Sequence, residues 1–552
     1  MGTNYIMEGT MARLWKKHHG ESMFAMYTPF VLCLASGNLQ RQSFNHYIAQ
    51  DIPYLIAYAQ ACELAEKCSD DDDDAKRALS KLKNGAIDEL HTLQEWEIDK
   101  ENYPMHSATQ KYMDFLLANA SGKVEGIDQA PFKGLKLAAY TLGAMMPCLR
   151  LYAFLGKELE ALLGPEDVNH PYKKWIDRNS SEFLLEDILL YEAVVDKLNA
   201  TLTDNEIGII GKLYHQAMEL EIEFFLAQPL YQPTVVPLTK QHNPLEDHLL
   251  IFCDFDQTCT EVVDSCAVLA EIANLAARKH EHQDHRDDEF ASTTPLAVLR
   301  AKWDHLVAQY KEEYEQCISS ITCCEKVAFS YEAVHEALEK FSDLERRGNS
   351  RVIESKVFKG LSLEHIKAAG ERIPFQDGCT SFFEKLLKKE NLYSSVHIIS
   401  LCWCADLIRS AFSPGGLDAL NVHANEFFFE DSVSTGEILR SVESPADKVQ
   451  TFNNIVRSYS AHNRRNLTVY VGDSIGDLLC LLQADIGIVV GSSSGLRRVA
   501  TQLGISFVPL YSALVRKQKE NIEGTSFNWK SLSGVLYTVT CWAEIDAFIL
   551  GW

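Results

Sequence analysis

Six polar residues in the second half of the chain stand where parallel strands and a helix would bring them together. The apolar runs LLIFC and VHII are followed at once by polar residues, LTVYV is followed by Gly472 and then Asp473, and SPADKVQTF begins a helical pattern. The polar residues at these four places are Asp254, Asp256, Ser400, Lys448, Asp473 and Asp477. Because the carboxyl ends of parallel strands meet at one edge of a sheet, these side chains are expected to form one site.

The types of these residues are those that can cleave a phosphate monoester. Asp254 can attack phosphorus and form an aspartyl phosphate, which divides the hydrolysis into two easier steps. Asp256 can protonate the departing alkoxide and later activate water. Acidic oxygens this close together would repel one another without a hard divalent cation, and Mg²⁺ suits a site made of oxygen ligands. Lys448 and the hydroxyl of Ser400 would hold the transferring phosphoryl oxygens.

The elements that must position these residues follow from the hydrophobic pattern. The runs HLLIFCDFD, SVHIIS, LTVYVGD and ADIGIVVG are typical of buried parallel strands, and helical stretches separate them. This alternation predicts a doubly wound, Rossmann-like α/β sheet. A mostly helical stretch from 261 to about 375 separates the first two strands and is too long for a simple crossover. We interpret it as an inserted helical cap over the site.

From about residue 248 to the C-terminus, these motifs in this order resemble the haloacid dehalogenase superfamily of phosphatases. The resemblance implies that Asp254 is the nucleophile and Asp256 the acid and base. It also implies that Ser400 and Lys448 bind the phosphoryl group. The Mg²⁺ site that it implies comprises Asp254, the backbone carbonyl of Asp256, Asp473 and, in a supporting position, Asp477.

The first half of the chain has apolar residues at helical spacing over long runs, and strand signals are nearly absent. It is predicted to be an all-helical bundle over residues 1–228. The segment QPLYQPTVVPLTKQHNP contains four of the 16 prolines, which disfavour both a helix and a central strand. We therefore expect a semi-rigid linker at 229–247 and an α/β domain at 248–552.

A cysteine and two carboxylates in the helical half could do chemistry of another kind. Cys148 lies in MMPCLRLY, with Tyr152 one helical turn on, although a lone cysteine on an apolar helix is usually a small buried hydrophobe. Asp51 and Glu221 interrupt otherwise apolar helices, with Tyr54 three residues after Asp51. Carboxylates that face a core are costly unless paired or used, whereas the alternative is that both face solvent.

This half resembles the TenA-like thiaminase II proteins, which have a haem-oxygenase-like helical fold. The resemblance covers about residues 12–228 and rests on Gln50–Tyr54, Pro147–Tyr152, HPYKKWI at His170–Ile176 and E-x-x-FF at Glu221–Phe225. It implies that the cysteine attacks a pyrimidine ring, that the two carboxylates bind and protonate the ring nitrogens and the exocyclic amine, and that the tyrosines hydrogen-bond near the thiol. The residues that take these roles are Cys148, Asp51, Glu221, Tyr54 and Tyr152. The sequence departs from the pattern at Thr109 and Asn179, where many members have aromatic residues near the pyrimidine.

The two halves in this order resemble the plant bifunctional proteins of thiamin metabolism. The resemblance implies two activities, the dephosphorylation of thiamin monophosphate and the hydrolysis of aminopyrimidines. It implies small-molecule substrates and, through the helical half, a homo-oligomer. The alternative is a phosphatase of another small phosphate monoester whose helical half binds a pyrimidine without turning it over.

Composition limits the partners and the compartment. Among 552 residues, 52 basic and 77 acidic side chains give a net charge of −25, which argues against nucleic acid as the main partner. No stretch of about 18 uninterrupted apolar residues exists, so no membrane span is expected. Fifteen scattered cysteines suit a reducing compartment. The N-terminus resembles neither a secretory signal nor a transit peptide, so a cytosolic protein is expected, and a mitochondrial form would need a longer presequence.

Overall fold

A computed structural model of the protein describes the chain apart from residues 1–8, 68–72, 95–101, 124–134, 244, 262–263, 284–295, 324–325, 461–463, 492, 521–528 and 530. The chain forms two compact units. The helical unit comprises Met1–Leu238, Leu514–Phe527 and Ala547–Trp552. The sheet unit comprises Thr239–Ala513 and Asn528–Asp546.

The N-terminal part of the helical unit confirms the prediction of an all-helical bundle. Its α-helices are α1 (Thr10–Lys17), α2 (His19–Met26), α3 (Pro29–Ala35), α4 (Arg41–Lys67), α5 (Asp73–Gln94), α6 (Ser107–Ala120), α7 (Leu135–Leu162), α8 (Lys173–Asn179), α9 (Glu182–Asn199) and α10 (Asp204–Leu226). No strand occurs among the described residues before β1 at Asp247. Local signals fix several helix starts: the Thr203 hydroxyl accepts from the Glu206 amide, and the Glu206 carboxylate accepts from the Thr203 amide, as in a capping box.

Three long helices carry the candidate thiol site. Helix α4 holds Asp51 and Tyr54, α7 holds Cys148 and Tyr152, and α10 holds Glu221. In the described part of the chain, only Lys136–Leu162 is long and apolar enough to cross a membrane, and 72% of its most apolar window is buried inside the protein. Such burial is expected of the core helix of a bundle.

The proline-rich segment after α10 belongs to the helical unit as far as Leu238 and to the sheet unit from Thr239. A short 3₁₀-helix, Leu238–Gln241, is the one helical element of this segment among the described residues. The side chain of Gln518, which is fully buried, accepts a hydrogen bond from the Val235 amide (2.9 Å) and donates one to the Pro233 carbonyl (3.1 Å). Gln518 therefore satisfies backbone groups that the proline-rich sequence cannot pair in a helix or a sheet.

We expect Gln518→Ala to destabilise the helical unit by about 1–3 kcal/mol, because it leaves the buried Val235 amide without an acceptor. Chemical denaturation followed by the loss of helical circular dichroism measures this change. Gln94→Ala, which alters an exposed glutamine at the end of α5, is the control and should leave the free energy of unfolding unchanged. Equal stabilities for the two variants would show that Gln518 does not hold the segment.

The sheet unit contains a seven-stranded sheet and a separate two-stranded ribbon. The strands are β1 (Asp247–Cys253), β2 (Ser394–Ile399), β3 (Asn421–His423), β4 (Glu426–Glu430), β5 (Val433–Leu439), β6 (Arg465–Gly472), β7 (Ile486–Val490), β8 (Ser506–Pro509) and β9 (Val535–Val539). The sheet has the order β3-β2-β1-β6-β7-β9-β8, and all its neighbouring strands are parallel. The predicted doubly wound sheet is confirmed, and the four predicted strands are β1, β2, β6 and β7.

Four helices among the described residues of 261–375 confirm the predicted insertion: α11 (Ser265–Gln283), α12 (Leu296–Thr322), α13 (Tyr331–Ser355) and α14 (Leu363–Gly370). The antiparallel ribbon β4–β5, which was not predicted, packs on this cap. The Gly360 amide donates to the Ser434 carbonyl (2.8 Å), and the Leu363 amide donates to the Ser432 carbonyl (2.9 Å). The ribbon thus supports the loop between α13 and α14.

Helix α15 (Cys379–Lys388) lies between the cap and β2. The remaining helices follow the strands of the sheet or the ribbon and are α16 (Ala405–Phe412), α17 (Pro445–Ser460), α18 (Leu478–Gln483), α19 (Ser494–Gln502), α20 (Leu510–Glu520) and α21 (Trp542–Ile549). Helix α17 begins next to the strand ends and carries Lys448 in its first turn.

Two candidate active sites

The first site lies where the order of the strands reverses. Strand β1 lies between β2 and β6, and Cys253 pairs in register with Ile398 on one side and Val471 on the other. The carboxyl ends of the parallel strands β2, β1 and β6 are therefore adjacent. Asp254, Ser400 and Asp473 therefore follow adjacent strand ends, at the position where open α/β sheets bind ligands.

A buried lysine joins two of the predicted aspartates. Lys448 Nζ lies 2.9 Å from Asp254 Oδ1 and 2.8 Å from Asp477 Oδ1, and all three side chains are almost fully buried. Tyr470 and Ser474 also donate hydrogen bonds to Asp477, at 2.9 and 2.7 Å. Burial alone would raise the pKa of Asp477, but Lys448 and these donors hold it below its usual value. Asp477 is therefore a fixed negative charge that positions Lys448.

Three carboxylates converge beside this lysine. Ligand atoms of Asp254, Asp473 and Asp477 all lie within 4.8 Å of one another. Burial, and then the charge of Asp477, raise the pKa of Asp254 well above its usual value and that of Asp473 to about 7. Thr258 donates to Asp473 at 2.9 Å and orients it. This all-oxygen set fits a hard divalent cation such as Mg²⁺.

The carboxylate of Asp256 is held apart from that cluster. It accepts hydrogen bonds from the Ser265 amide (3.0 Å) and the Ser265 hydroxyl (2.6 Å). Burial raises the pKa of Asp256 to about 7, although the bonds from Ser265 oppose the shift. The Asp256 carboxyl can therefore both give and take a proton near neutral pH.

Sequence reasoning missed three residues that support this site: Thr258, Ser265 and Tyr470. Thr258 follows Asp254 by four residues within DFDQTCT, so it could have been suspected. Ser265 starts the cap, and Tyr470 lies inside an apolar strand. Their roles depend on tertiary packing, which the spacing of residues does not show.

A cavity of about 410 Å³ joins the strand ends to the cap. Five of the six predicted residues line it: Asp254, Asp256, Ser400, Lys448 and Asp473. Asp477 lies behind Lys448 and is fully buried. The cavity is large enough for a small organic phosphate next to the carboxylates.

The second site is a cavity of about 270 Å³ in the helical unit. Of the predicted residues, the ones that line it are Asp51, Tyr54, Cys148, Tyr152 and Asn179. Glu221 is buried directly behind the cysteine, where it accepts hydrogen bonds from the Cys148 thiol and from the Tyr112 hydroxyl, the latter at 2.8 Å. Cys148 and the two carboxylates therefore meet in one place, as the resemblance implies.

The Cys148 thiol is neutral at neutral pH. Burial, and then the negative charge of Glu221, raise its pKa well above the usual value. Burial raises the pKa of Glu221 to about 7, although the bonds from Tyr112 and Cys148 oppose the shift. Glu221 is placed to accept the thiol proton when a substrate is attacked.

Asp51 lies in a second cluster of charges on the wall of the same cavity. Burial, followed by repulsion from Glu89 and Glu221, raises its pKa well above the usual value. Glu89 forms an ion pair with Arg178 at 3.0 Å. Sequence reasoning missed Glu89, Arg178 and Tyr112, because each lies on a helix without a distinctive motif.

Tyr47, Tyr152 and Trp175 are among the aromatic residues that line the cavity of the helical unit. Of the two departures from the family pattern, Asn179 lines this cavity and Thr109 does not. Tyr47 donates to the Tyr152 hydroxyl at 3.3 Å, and the Trp175 indole donates to Tyr47 at 3.3 Å. Asn179 lines the cavity and donates to the Trp175 carbonyl at 2.9 Å. Thr109 is fully buried, and its hydroxyl donates to Gln50 at 2.9 Å. It is not among the residues that line the described cavity.

Comparisons with known proteins cover both units. The TENA/THI-4/PQQC family model matches residues 15–231. An Arabidopsis thaliana protein, "Bifunctional TH2 protein, mitochondrial", is 53% identical over 559 residues, which span 99% of this chain and 90% of that protein. An aminopyrimidine aminohydrolase of Staphylococcus saprophyticus is 22% identical over 209 residues, or 36% of this chain and 84% of that protein.

Among solved structures, a phosphoserine phosphatase in a phospho-aspartyl intermediate analogue is 17% identical and covers 45% of this chain and 90% of its own. Its TM-score of 0.28 is too low to carry an argument. The Arabidopsis identity, by contrast, extends over nearly the whole chain. The chain therefore belongs to the family of bifunctional TH2 proteins of thiamin metabolism, with a TenA-type helical domain followed by a doubly wound α/β domain.

Proposed function

We propose that the sheet unit hydrolyses thiamin monophosphate to thiamin and phosphate, and that the helical unit hydrolyses aminopyrimidines. The observation that carries the first activity is the buried group of Asp254, Lys448 and Asp477 at the strand ends. The hydrogen bond between Cys148 and Glu221 beside a cavity supports the second. Family membership supports the combination of the two.

In the phosphatase site, Asp254 attacks phosphorus and the ester oxygen leaves. Asp256, held by Ser265, gives its proton to that oxygen, so the alcohol departs neutral. The resulting carboxylate then takes a proton from water, which attacks the aspartyl phosphate. Phosphate is released and both carboxyl groups return to their starting states. Lys448 and Ser400 hold the phosphoryl oxygens through this exchange.

Asp254, Asp473 and the backbone carbonyl of Asp256 would hold Mg²⁺, with Asp477 supporting them. When bound, the ion neutralises the carboxylates and the phosphate and draws negative charge from the transferring group. The three converging carboxylates support this assignment, because without a cation they repel both one another and the substrate.

We expect phosphate release to stop in a chelator and to return with added Mg²⁺. Calcium should restore it poorly, because its larger and looser shell of ligands would misplace the in-line attack. A continuous phosphate assay on chelated, then reloaded, protein measures this. Aminopyrimidine hydrolysis by the same sample is the internal control and should be unaffected, while full phosphatase activity in chelator would exclude the proposed role of Asp254.

In the helical site, Glu221 accepts the thiol proton as Cys148 Sγ adds to the pyrimidine ring. The departing exocyclic amine takes a proton from Glu221 and leaves as ammonia. Water then adds to the carbon that lost the amine and gives a proton to Glu221. The ring expels the sulfur as a thiolate, which takes that proton from Glu221, so that both groups return to their starting states. Asp51 binds the ring nitrogen and amino group of the pyrimidine.

We expect aminopyrimidine hydrolysis to rise with pH through about 7, because Glu221 must be ionised to accept the thiol proton. Protonation below that pH removes the base. Glu221→Gln should lower the rate by about 10²–10⁴-fold and abolish this limb of the pH profile. Glu219→Gln, at a partly exposed position on α10, is the control. If the limb persisted unchanged in Glu221→Gln, it would belong to another group.

A panel of phosphate esters tests the substrate of the sheet unit. With Mg²⁺ present, thiamin monophosphate is expected to be turned over faster than thiamin diphosphate, nucleotides or phosphoserine. Equal turnover across the panel would reject the vitamin-specific proposal. Ligand-induced stabilisation of the helical unit by an aminopyrimidine, without ammonia release, would instead make that unit a binding module.

For the compartment, the name of the Arabidopsis relative supports a mitochondrial rather than a cytosolic location. The cytosolic expectation has no support beyond the N-terminal sequence. Self-association through the helical unit stays a prediction.

A further inference from the structure

Three aromatic residues of the cap and one from the loop after β2 form an aromatic wall of the cavity in the sheet unit. Trp303, Tyr310, Tyr314 and Trp403 all line the cavity and are partly exposed to it. The rings of Trp303 and Trp403 meet edge to face, with centroids 6.2 Å apart, and those of Tyr310 and Tyr314 are 6.0 Å apart. Such a wall suits a flat ring, and its faces attract positive charge.

Glu345 places a carboxylate within that wall. Glu345, on α13, accepts a hydrogen bond of 2.6 Å from the Tyr310 hydroxyl. Among the described residues it forms no ion pair. Burial raises its pKa to about 7, and the Tyr310 bond and the distant charge of Lys448 offset only part of that rise.

The cationic residues nearby do not neutralise Glu345. Arg351 lines the same cavity, but both of its terminal nitrogens bind Glu313. Lys448 lies between Asp254 and Asp477, and the side chain of Lys311 is exposed to solvent. A carboxylate enclosed in such a cavity is costly unless a ligand supplies the missing charge.

A carboxylate is also an unfavourable neighbour for a phosphate ester. The substrate brings a dianion to Asp254, and Glu345 would repel an anionic leaving group and leave a neutral one unmatched. Only a leaving group with its own positive charge gains from Glu345 and from the aromatic faces together.

We propose that Glu345, together with Trp303 and Tyr310, selects phosphate esters whose leaving group is a cationic heteroaromatic ring. This inference rests on the proposed function, since the thiazolium ring of thiamin is such a group, and it assigns the specificity to named cap residues. Glu345 determines specificity and takes no part in the bond changes at phosphorus.

The test compares two substrates that differ in charge at the thiazole nitrogen. Thiamin monophosphate has the cationic ring, and 4-methyl-5-(2-phosphoethyl)thiazole, which lacks the pyrimidinylmethyl group on the ring nitrogen, is neutral. Glu345→Gln keeps the shape of the side chain and removes its charge. We expect kcat/KM for thiamin monophosphate to fall about 10- to 100-fold and kcat/KM for the neutral ester to change less than about 3-fold.

Two further variants provide a control and a second test of the proposal. Glu336→Gln makes the same charge change at an exposed position on α13 and should leave both substrates unaffected. Trp303→Leu removes an aromatic face without touching a charge and should lower kcat/KM for the cationic ester about 5- to 30-fold. Thermal melts confirm that each variant is folded. An equal fall on both esters in Glu345→Gln would overturn the proposal.

Inhibition by the released alcohol separates this inference from the substrate assignment. Thiamin is expected to inhibit the hydrolysis of p-nitrophenyl phosphate, with an inhibition constant at least 10-fold lower for the wild type than for Glu345→Gln. That result supports a pocket that binds a cationic ring, even if thiamin monophosphate itself is a poor substrate. In that case only the proposed function fails. Equal inhibition of the two proteins by thiamin would overturn the proposed role of Glu345, whatever the substrate.

Discussion

Asp254→Asn is expected to lower phosphate release from thiamin monophosphate by about 10³-fold or more, as is common when a covalent nucleophile is lost. The amide keeps the size of the carboxylate but cannot attack phosphorus. Lys448 keeps its partner Asp477 at 2.8 Å, so the site is not left with an unpaired buried cation. The loss of activity should therefore occur without a loss of fold.

Stability provides an independent check on this variant. Burial and the charges of Asp477 and Asp473 make ionised Asp254 unfavourable in the absence of a cation, as its raised pKa indicates. In chelator, Asp254→Asn should therefore melt at or above the wild-type temperature, as expected where catalytic charge is kept at a cost in stability. Asp418→Asn, an exposed aspartate of the same unit, is the control. A normal rate of phosphate release by Asp254→Asn would exclude the aspartyl phosphate.

Cys148→Ser is expected to lower aminopyrimidine hydrolysis by a similar factor, about 10³-fold or more. A serine hydroxyl is less acidic than a thiol, and the burial and the Glu221 charge that raise the pKa of Cys148 would oppose ionisation of serine further. Glu221 could hold the hydroxyl but could not draw its proton away at neutral pH. Ammonia release from the aminopyrimidine measures the effect.

Another cysteine of the same unit provides the matched control. Cys62 is fully buried, contacts Met145 and does not line the cavity. Cys62→Ala should retain hydrolysis within about 3-fold, which is the range of a small packing change. If Cys62→Ala and Cys148→Ser lost activity equally while both stayed folded, the thiol of Cys148 would have no chemical role.

The arrangement of the phosphatase residues was largely predictable from the sequence. Apolar runs that end within one residue of Asp254, Ser400 and Asp473 predict parallel strands, and parallel strands bring their carboxyl ends to one edge. The long helical stretch after Glu261 could only be an insertion. Short β3, β8 and β9, and the β4–β5 ribbon, were missed because few residues in them alternate clearly between apolar and polar.

Charge states and partners were the part that the sequence could not provide. The pairing of Lys448 with two aspartates depends on how α17 approaches the sheet, and spacing along the chain does not encode that approach. The neutral thiol of Cys148 follows from its burial against Glu221, 73 positions away in the chain. Glu345 shows no motif at all, and only the packing of the cap turns it toward the cavity.

The most direct test of the account measures both activities on both variants, Asp254→Asn and Cys148→Ser, with thermal melts to confirm folding. The account predicts a double dissociation, in which each variant loses one activity by about 10³-fold or more and keeps the other within about 2-fold. Loss of phosphate release by a normally melting Cys148→Ser would show that the two sites are coupled and would contradict the picture of two separate enzymes.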